Sequence, residues 1–419
     1  MRILVLGSGG REHALAWRAA HEGHEIHVAP GSDGIAADAR CHPLALADHA
    51  AVVALARGLA PDLVIVGPEQ PLVEGLADRL RAAPLAVFGP SEAAAELEGS
   101  KAAAKAFMVR HGVPTARHVR ADELAAGLAA VRTFAAPPVI KASGLAAGKG
   151  VTVADSFEEA ELAVRSCLED QVFGRAGDSV VLEERLEGAE ASLFVVTDGE
   201  RYLCLPPAQD HKRLLAGDRG PNTGGMGAYS PAPICSDAVL RRVAAEIVEP
   251  TLAGLRAEGR PFVGALFVGL MIDAAGVPRV IEYNCRFGDP EIQPVLFGLQ
   301  APIFPHLLAA AHGRLQPPAR PLPALAAATV VLAAGGYPGA CTPGAAIRGL
   351  ELAQELPDVK VFHAGTRRGA DGWVTNGGRV LGVCARGPDL PAALVRAYAA
   401  VDRIDVAGGQ HRRDIGARA

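Results

Sequence analysis

The run Val280-Ile281-Glu282-Tyr283-Asn284-Cys285-Arg286-Phe287-Gly288-Asp289-Pro290-Glu291 concentrates residue types that could do chemistry. Val280 and Ile281 continue an apolar stretch, so the segment enters as a strand, and alternate side chains of a strand share a face. Glu282, Asn284 and Arg286 therefore project together. A carboxylate and an amide oxygen suit a hard divalent cation that keeps waters and takes phosphate oxygens as its other ligands. The guanidinium suits a carboxylate or a phosphate. Gly288-Asp289-Pro290 then breaks the strand into a turn. Taken alone, the same residues fit an edge strand with a solvated polar face equally well, so the surrounding elements decide.

A chain of 419 residues predicts about three domains. At 50% hydrophobic and 21% charged it has the composition of an ordinary folded protein. A net charge of −5 without a basic tract excludes nucleic acid as the expected partner. Seven scattered cysteines without CxxC spacing argue for a reducing compartment and against a disulfide framework or zinc site. The apolar run at Met1–Leu6 is too short for a signal sequence, and no stretch reaches membrane-span length without Gly, Pro or charge. The expectation is a cytoplasmic globular protein, a monomer or a weak dimer.

The N-terminal region, 1–100, reads as a doubly wound α/β domain. Residues 2–6 form a buried strand, Gly7-Ser8-Gly9-Gly10-Arg11-Glu12-His13 a glycine turn, and Ala14 onward a helix. Small residues there let amides and a helix N-terminus approach an anion. A dinucleotide site is excluded, because Glu12 stands at the last glycine of the fingerprint and the strand Glu25–Pro30 ends without a ribose-binding acid. Asp62–Glu69 repeats the pattern and leaves Glu69 at the carboxyl end of a strand, where open α/β sheets bind ligands.

The middle region, 101–323, carries the most chemistry, with a flap subdomain over about 120–190. Ser100 is a plausible N-cap, and Lys101 and Lys105 lie on one helical face; two solvated lysines are the simplest account of them. Val139–Val153 reads as two short strands around a glycine-rich loop, Gly144-Leu145-Ala146-Ala147-Gly148-Lys149-Gly150, whose amides can close on phosphates. It is not a P-loop, since the spacing is one residue short and a strand follows. Lys141, inside an apolar strand, needs an anionic partner. Val180–Val196 reads as strand, acidic corner, strand. The corner at Glu183–Leu186 exposes backbone groups as a purine edge requires, and Glu190 could accept ribose hydroxyls. Gln209-Asp210-His211-Lys212-Arg213 follows an apolar strand, and 220–231 predicts neither helix nor strand. A helix is expected over 237–258, and a strand over 264–273 that pairs with the opening strand. Residues 314–323 read as a linker. The last region, 324–419, is mostly β, with runs at 327–333, 360–364 and 380–384 and a helix near 389–402.

Together these motifs resemble the ATP-grasp superfamily and, within it, the phosphoribosylamine–glycine ligase (glycinamide ribonucleotide synthetase) family, along the whole chain. The resemblance is carried by Gly7–Ala14, Val66–Glu69, Lys141 with Gly144–Gly150, Gln209–Arg213, Pro221–Ser230, Glu282–Glu291, Thr375–Arg379 and Arg413–Gly416. It implies an N-terminal α/β domain, an ATP-grasp core with a flap subdomain and a C-terminal β domain. It implies ATP-dependent ligation of glycine to 5-phosphoribosylamine through glycyl phosphate, giving glycinamide ribonucleotide in de novo purine synthesis. Lys105, Lys141 and the flap (Gly144, Gly148, Lys149, Gly150) would hold the ATP phosphates, Glu183, Glu184 and Leu186 the adenine, and Glu190 the ribose. Glu282 and Asn284 would bind Mg²⁺ or Mn²⁺. Arg286 would stabilise the transferring phosphoryl group and Asp210 would orient the amine. Asn222, Thr223, Gly224, Gly225, Met226 and Gly227 would embrace glycine and the sugar, with Gly9, Gly10 and Glu69 facing the phosphoribosyl group.

Three positions depart from the family pattern. Ser143 stands where the flap usually has Asp, Ala208 where a hydroxyl is common, and Ala417 where Trp often stands. Leu270 aligns with an additional metal carboxylate of other ATP-grasp enzymes, which puts a fully protein-anchored second metal in doubt. The alternatives are another ATP-grasp carboxylate–amine ligase and an inactive nucleotide-binding protein.

Overall fold

Ile3–Leu6 has no polar face to offer solvent, so it forms a strand covered on both sides. In the computed structural model, which describes every residue except Ala147, Arg2–Gly7 is the middle of a five-stranded parallel sheet. Its order is Arg40–Cys41, Glu25–Pro30, Arg2–Gly7, Leu63–Val66, Val87–Phe88. The first helix starts at Gly10, earlier than the expected Ala14. Glu12 closes that first turn by accepting the Gly9 N–H at 2.7 Å. The same carboxylate fills the space beside Gly67, where a Cβ would collide with Glu12 Oε1. An anionic pyrophosphate would meet a buried carboxylate there, which is the structural reason a dinucleotide does not fit.

The central sheet is antiparallel, in the order Tyr202–Cys204, Ala189–Asp198, Val263–Ile272, Pro278–Asn284. The expected hairpin between its last two strands is present. A register shift sets Gly269 opposite Glu282 and Leu270 opposite Val280. A smaller antiparallel sheet, His118–Ala121, Val180–Glu183, Val139–Ala142, Val151–Val153, forms the flap subdomain. Its core of Ala121, Ile140, Ala142, Val180 and Leu182 packs on Val131, Ala160 and Val164 of two helices.

The C-terminal half corrects one expectation. Within 220–231 the structure forms strands, at Arg219–Asn222 and Gly227–Ser230. Gly227–Ser230 pairs with Ala327–Val330 and also with Gln209–Asp210. The resulting sheet runs Gln209–Asp210, Gly227–Ser230, Ala326–Ala333, Arg379–Gly387, Val359–His363. The partner Ala327–Val330 of Gly227–Ser230 lies about a hundred residues downstream, so tertiary context overrides the local glycine and proline signal there. Gly227 is required by that approach: its φ is +159° and a Cβ would lie 2.6 Å from the Thr329 carbonyl oxygen. Four short strands missed in the sequence, Ala346–Arg348, Thr366–Gly369, Gly372–Thr375 and Asp405–Val406, make a further small sheet. No helix among the described residues is long and apolar enough to cross a membrane.

The first helix meets the C-terminal sheet through a buried imidazole. His13 Nδ1 accepts the His363 N–H at 2.8 Å, so a neutral ring carries its proton on Nε2, 2.9 Å from Asp38 Oδ2. Lys360 Nζ donates to the same oxygen at 2.7 Å. Burial holds the His13 pKa below the ordinary 6.5, with Asp38 opposing and Lys360 adding to the shift. The unfolded chain therefore takes up the proton first, and stability falls as pH drops below about 6.5. The stability gap between the wild type and His13→Gln, measured by chemical denaturation, is expected to shrink from pH 7 to pH 5. A gap independent of pH would refute a buried neutral imidazole.

Candidate active site

The flap subdomain, the central sheet and the loop 209–230 face one cavity of about 680 Å³. Along the edge strand Pro278–Asn284 and just past its end, Glu282, Asn284 and Arg286 are half-buried while Tyr283 and Cys285 between them are buried. The three polar side chains line the cavity together, as the alternation predicts.

At the flap end, Glu183 is 3% exposed and holds two lysines, Lys105 Nζ at 2.8 Å and Lys141 Nζ at 3.0 Å. Lys141 also donates to the Ile281 carbonyl at 2.9 Å, and Lys105 to Thr115 Oγ1 at 2.6 Å. Burial lowers the Lys105 ammonium to about 8, with Glu183 pulling it back up. The anionic partner expected for Lys141 is thus Glu183, whose side chain also lines the cavity. Lys101, expected to be solvated, also lines the cavity. Its Nζ donates to the Gly144 carbonyl at 3.3 Å and has no carboxylate partner among the described residues. The usable signal was its place in the first helical turn, where a side chain leans back past the helix start. Ser143 Oγ accepts the Ala102 N–H at 3.1 Å and so ties the flap root to that same helix.

Glu184 and Leu186 line the cavity beside the apolar Val139, Met271 and Ile281. The Glu184 N–H is taken by the Arg117 carbonyl at 2.8 Å, which fixes the corner. Glu190 lies 3.1 Å from Lys212 Nζ, and Lys212 Nζ is 3.5 Å from Glu282 Oε1. Burial raises the Glu282 carboxyl, but Lys212, Lys141 and Lys101 outweigh it and hold the pKa at about 2. Burial likewise lowers the Lys212 ammonium, and Glu190, Glu282 and Asp210 overcome it.

One carboxylate and one amide oxygen on a shared face fit a divalent cation that completes its shell from phosphates and water. No group of three or more His, Cys, Asp or Glu able to hold a metal by itself occurs among the described residues. The Leu270 alignment is corrected: Leu270 is fully buried in the hydrophobic core. The residue opposite Glu282 is Gly269, where a Cβ would lie 2.9 Å from Glu282 Cγ. A side chain at Gly269 would have to displace the Glu282 stem.

Arg286 lies between two acids. Its Nε is 3.1 Å from Glu69 Oε2 and its Nη2 is 2.9 Å from Glu98 Oε1. Glu69 is where the sequence placed it, but its partner in the structure is Arg286. Burial raises the Glu69 carboxyl, and Arg286 with Arg11 brings it below the ordinary range. Asp210 is 7% exposed, and burial pushes its carboxyl up to about 8 against the pull of Lys212. Glu291, 5% exposed, is raised by burial as well. Two carboxyls in one cavity, Glu282 and Asp210, are thereby driven to opposite ends of the titration range, the pattern of a site that separates charge from proton transfer.

Asn222, Thr223 and Gly224 reach the cavity, but Gly225, Met226 and Gly227 do not. Met226 is fully buried, and the two glycines serve close approaches to Pro290 and Thr329. Gly9 and Gly10 also stand outside it, against Asp289 and Gln293. Of the flap residues, Gly148 and Gly150 line the cavity and Gly144 and Lys149 do not. Asp289, whose part the sequence left open, is 3.3 Å from Arg379 Nη2. Arg379 also donates to the Gly224 carbonyl, and the Gly224 N–H donates to Tyr337 Oη at 2.8 Å. The Thr375–Arg379 motif thus holds the asparagine–glycine loop in place from the C-terminal domain.

Family models of phosphoribosylglycinamide synthetase match in three successive parts, the N domain over 1–98, the ATP-grasp (A) domain over 99–292 and the C domain over 327–418. The chain is 50% identical over 423 residues to phosphoribosylamine–glycine ligase of Vibrio cholerae, covering 100% of this chain and 98% of that one. It is 51% identical over 423 residues to the enzyme of that name from Allochromatium vinosum, covering 100% and 99%. The crystal structure of phosphoribosylamine–glycine ligase from Thermotoga maritima has a TM-score of 0.86 and 35% identity, covering 99% of this chain and 100% of that one. With the strand of Glu282 and Asn284, the flap and the asparagine–glycine loop meeting in one cavity, the chain belongs to the phosphoribosylamine–glycine ligase family of ATP-grasp enzymes.

Proposed function

We propose that this protein joins glycine to 5-phosphoribosylamine with hydrolysis of ATP, giving glycinamide ribonucleotide, ADP and phosphate in de novo purine biosynthesis in the cytoplasm. The observation that carries the assignment is the single cavity in which Glu282, Asn284 and Arg286 face Lys101, Lys141 and Asp210. Phosphoryl transfer needs positioning and charge neutralisation rather than a nucleophilic side chain, and these residues supply both.

Lys141, Lys105 and Lys101, with the flap, place the ATP phosphates. Lys105 does so from within its pair with Glu183, and Lys101 replaces its Gly144 contact with a phosphate oxygen. The apolar wall of Val139, Met271 and Ile281 with the Glu184–Leu186 corner receives adenine, and Glu190 the ribose. Glu282 and Asn284 hold Mg²⁺ or Mn²⁺, which when bound neutralises phosphate charge and orients the terminal phosphoryl group. Arg286, held in plane by Glu69 and Glu98, offers Nη1 to the glycine carboxylate as it becomes an acyl phosphate. The amine of phosphoribosylamine then attacks that carbonyl and phosphate leaves. Asp210, poised near pH 8, orients the amine and can take the proton it sheds.

ADP release by the full chain is expected to require both glycine and phosphoribosylamine generated in situ. Equal turnover with formate or bicarbonate in place of glycine would overturn the substrate assignment. Asp210→Asn is expected to lower kcat about 10²-fold and to remove the rise of activity with pH that leads into pH 8. An unchanged pH profile would remove Asp210 from proton handling.

A further inference from the structure

Glu98, on the helix Glu92–Gly99, is 6% exposed and collects three consecutive residues of the metal strand. Its Oε2 accepts the Cys285 N–H at 2.7 Å, and its Oε1 lies 2.9 Å from Arg286 Nη2. One arm of the Asn284 amide stands 2.9 Å from the same Oε1 and 3.3 Å from the Tyr283 carbonyl oxygen. Both neighbours are acceptors only, so that arm is the NH₂ group, and the oxygen is turned the other way. Asn284 lines the cavity beside Glu282. An amide NH₂ facing the cavity could not ligate a cation; the oxygen can.

We propose that Glu98 is a positioning residue that fixes the side-chain amide of Asn284 with its oxygen toward the metal. This rests on the assignment of Glu282 and Asn284 as the protein's metal ligands. The energetic logic is that of outer-shell partners, which set the orientation of a ligand and commonly carry 10- to 100-fold in metal affinity. Glu98→Gln replaces one acceptor oxygen by an NH₂, which favours the wrong orientation of Asn284. In Asn284→Asp the side chain has two equivalent oxygens and no orientation to lose.

The test uses the full chain and Mn²⁺–ADP, with bound Mn²⁺ read by water-proton relaxation enhancement and metal-free ADP affinity read in EDTA. Glu98→Gln is expected to weaken Mn²⁺–ADP binding about tenfold with metal-free ADP binding within about twofold. In the Asn284→Asp background the same substitution is expected to cost less than about twofold, because the orienting role is gone. An equal loss in both backgrounds, or no loss in either, overturns the proposal. Should Glu98→Gln alone fail to fold, the proposal requires Glu98→Gln with Asn284→Asp to fold and bind Mn²⁺–ADP, since a carboxylate accepts from the introduced glutamine amide; a double variant that also fails overturns it. Glu282→Gln separates the two levels. If it leaves Mn²⁺–ADP binding unchanged, the ligand assignment itself fails; if it weakens binding while Glu98→Gln does not, only the positioning role does.

Discussion

Glu282→Gln is expected to lower ligation by about 10³-fold, the scale of losing one group that stabilises transferred charge, while the thermal midpoint stays near that of the wild type. The carboxylate is held ionised by three lysines, so it is a full negative charge at any working pH. Gln keeps its volume, which matters because Gly269 opposite leaves no slack. What is lost is charge. Lys212, 3.5 Å away, and Lys141 then face the cavity with less compensation. Metal-free ATP, an anion, should therefore bind as well or more tightly, whereas the metal–nucleotide complex should bind less tightly. That opposite pair of effects distinguishes a metal ligand from an acid that merely balances the lysines. The measurements are steady-state turnover against Mg²⁺ concentration and nucleotide affinity with and without metal; near-wild-type turnover at saturating Mg²⁺ would refute the metal role.

The parts of this site that were legible in the sequence are those specified locally. Apolar runs such as Ile3–Leu6 and Leu63–Val66 are buried strands because nothing else covers them. The alternation at Glu282, Asn284 and Arg286 survives because strand periodicity is a property of neighbours in the chain. Lys141 needed an acid, and an acid is there, but its identity as Glu183 depends on the pairing of Val139–Ala142 with Val180–Glu183. What was illegible is what distant segments supply. Gly227–Ser230 is a strand only because Ala326–Ala333 comes to pair with it. Glu98 reads as an ordinary acid at a helix end until Asn284–Arg286 is laid against it. Asp289 takes its charged partner, Arg379, from ninety residues on. Gly225, Gly227 and Gly10 were read as ligand-facing, and the space beside them is taken by Pro290, Thr329 and Gln293. A glycine's sequence context does not tell whether a ligand or a neighbouring side chain occupies the space its missing Cβ leaves.

Arg286→Lys is expected to lower turnover by about 10²- to 10³-fold with ATP affinity within a few-fold of the wild type. In the structure the guanidinium reaches Glu69 through Nε and Glu98 through Nη2 at once. A lysine is a point charge on a flexible stem and cannot span both carboxylates in a fixed plane. Whichever acid it keeps, the other loses its partner. For Glu98, 6% exposed, a buried carboxylate left unpaired costs roughly 3–5 kcal/mol or takes up a proton. Stability should therefore fall with activity, unlike the Glu282 variant. Burial already raises the Glu98 carboxyl while Arg286 lowers it, so weakening Arg286 pushes it further up. The sign of the linkage follows: with Glu98 protonated in the fold and ionised when unfolded, stability of Arg286→Lys should decline as pH rises above the ordinary carboxyl range, more steeply than in the wild type. Glu98→Gln in the Arg286→Lys background should recover part of that stability without restoring turnover. The three measurements are kcat, ATP affinity and denaturation across pH. Equal losses in kcat and in ATP affinity would mean that Arg286 serves the nucleotide and not the reacting carboxylate.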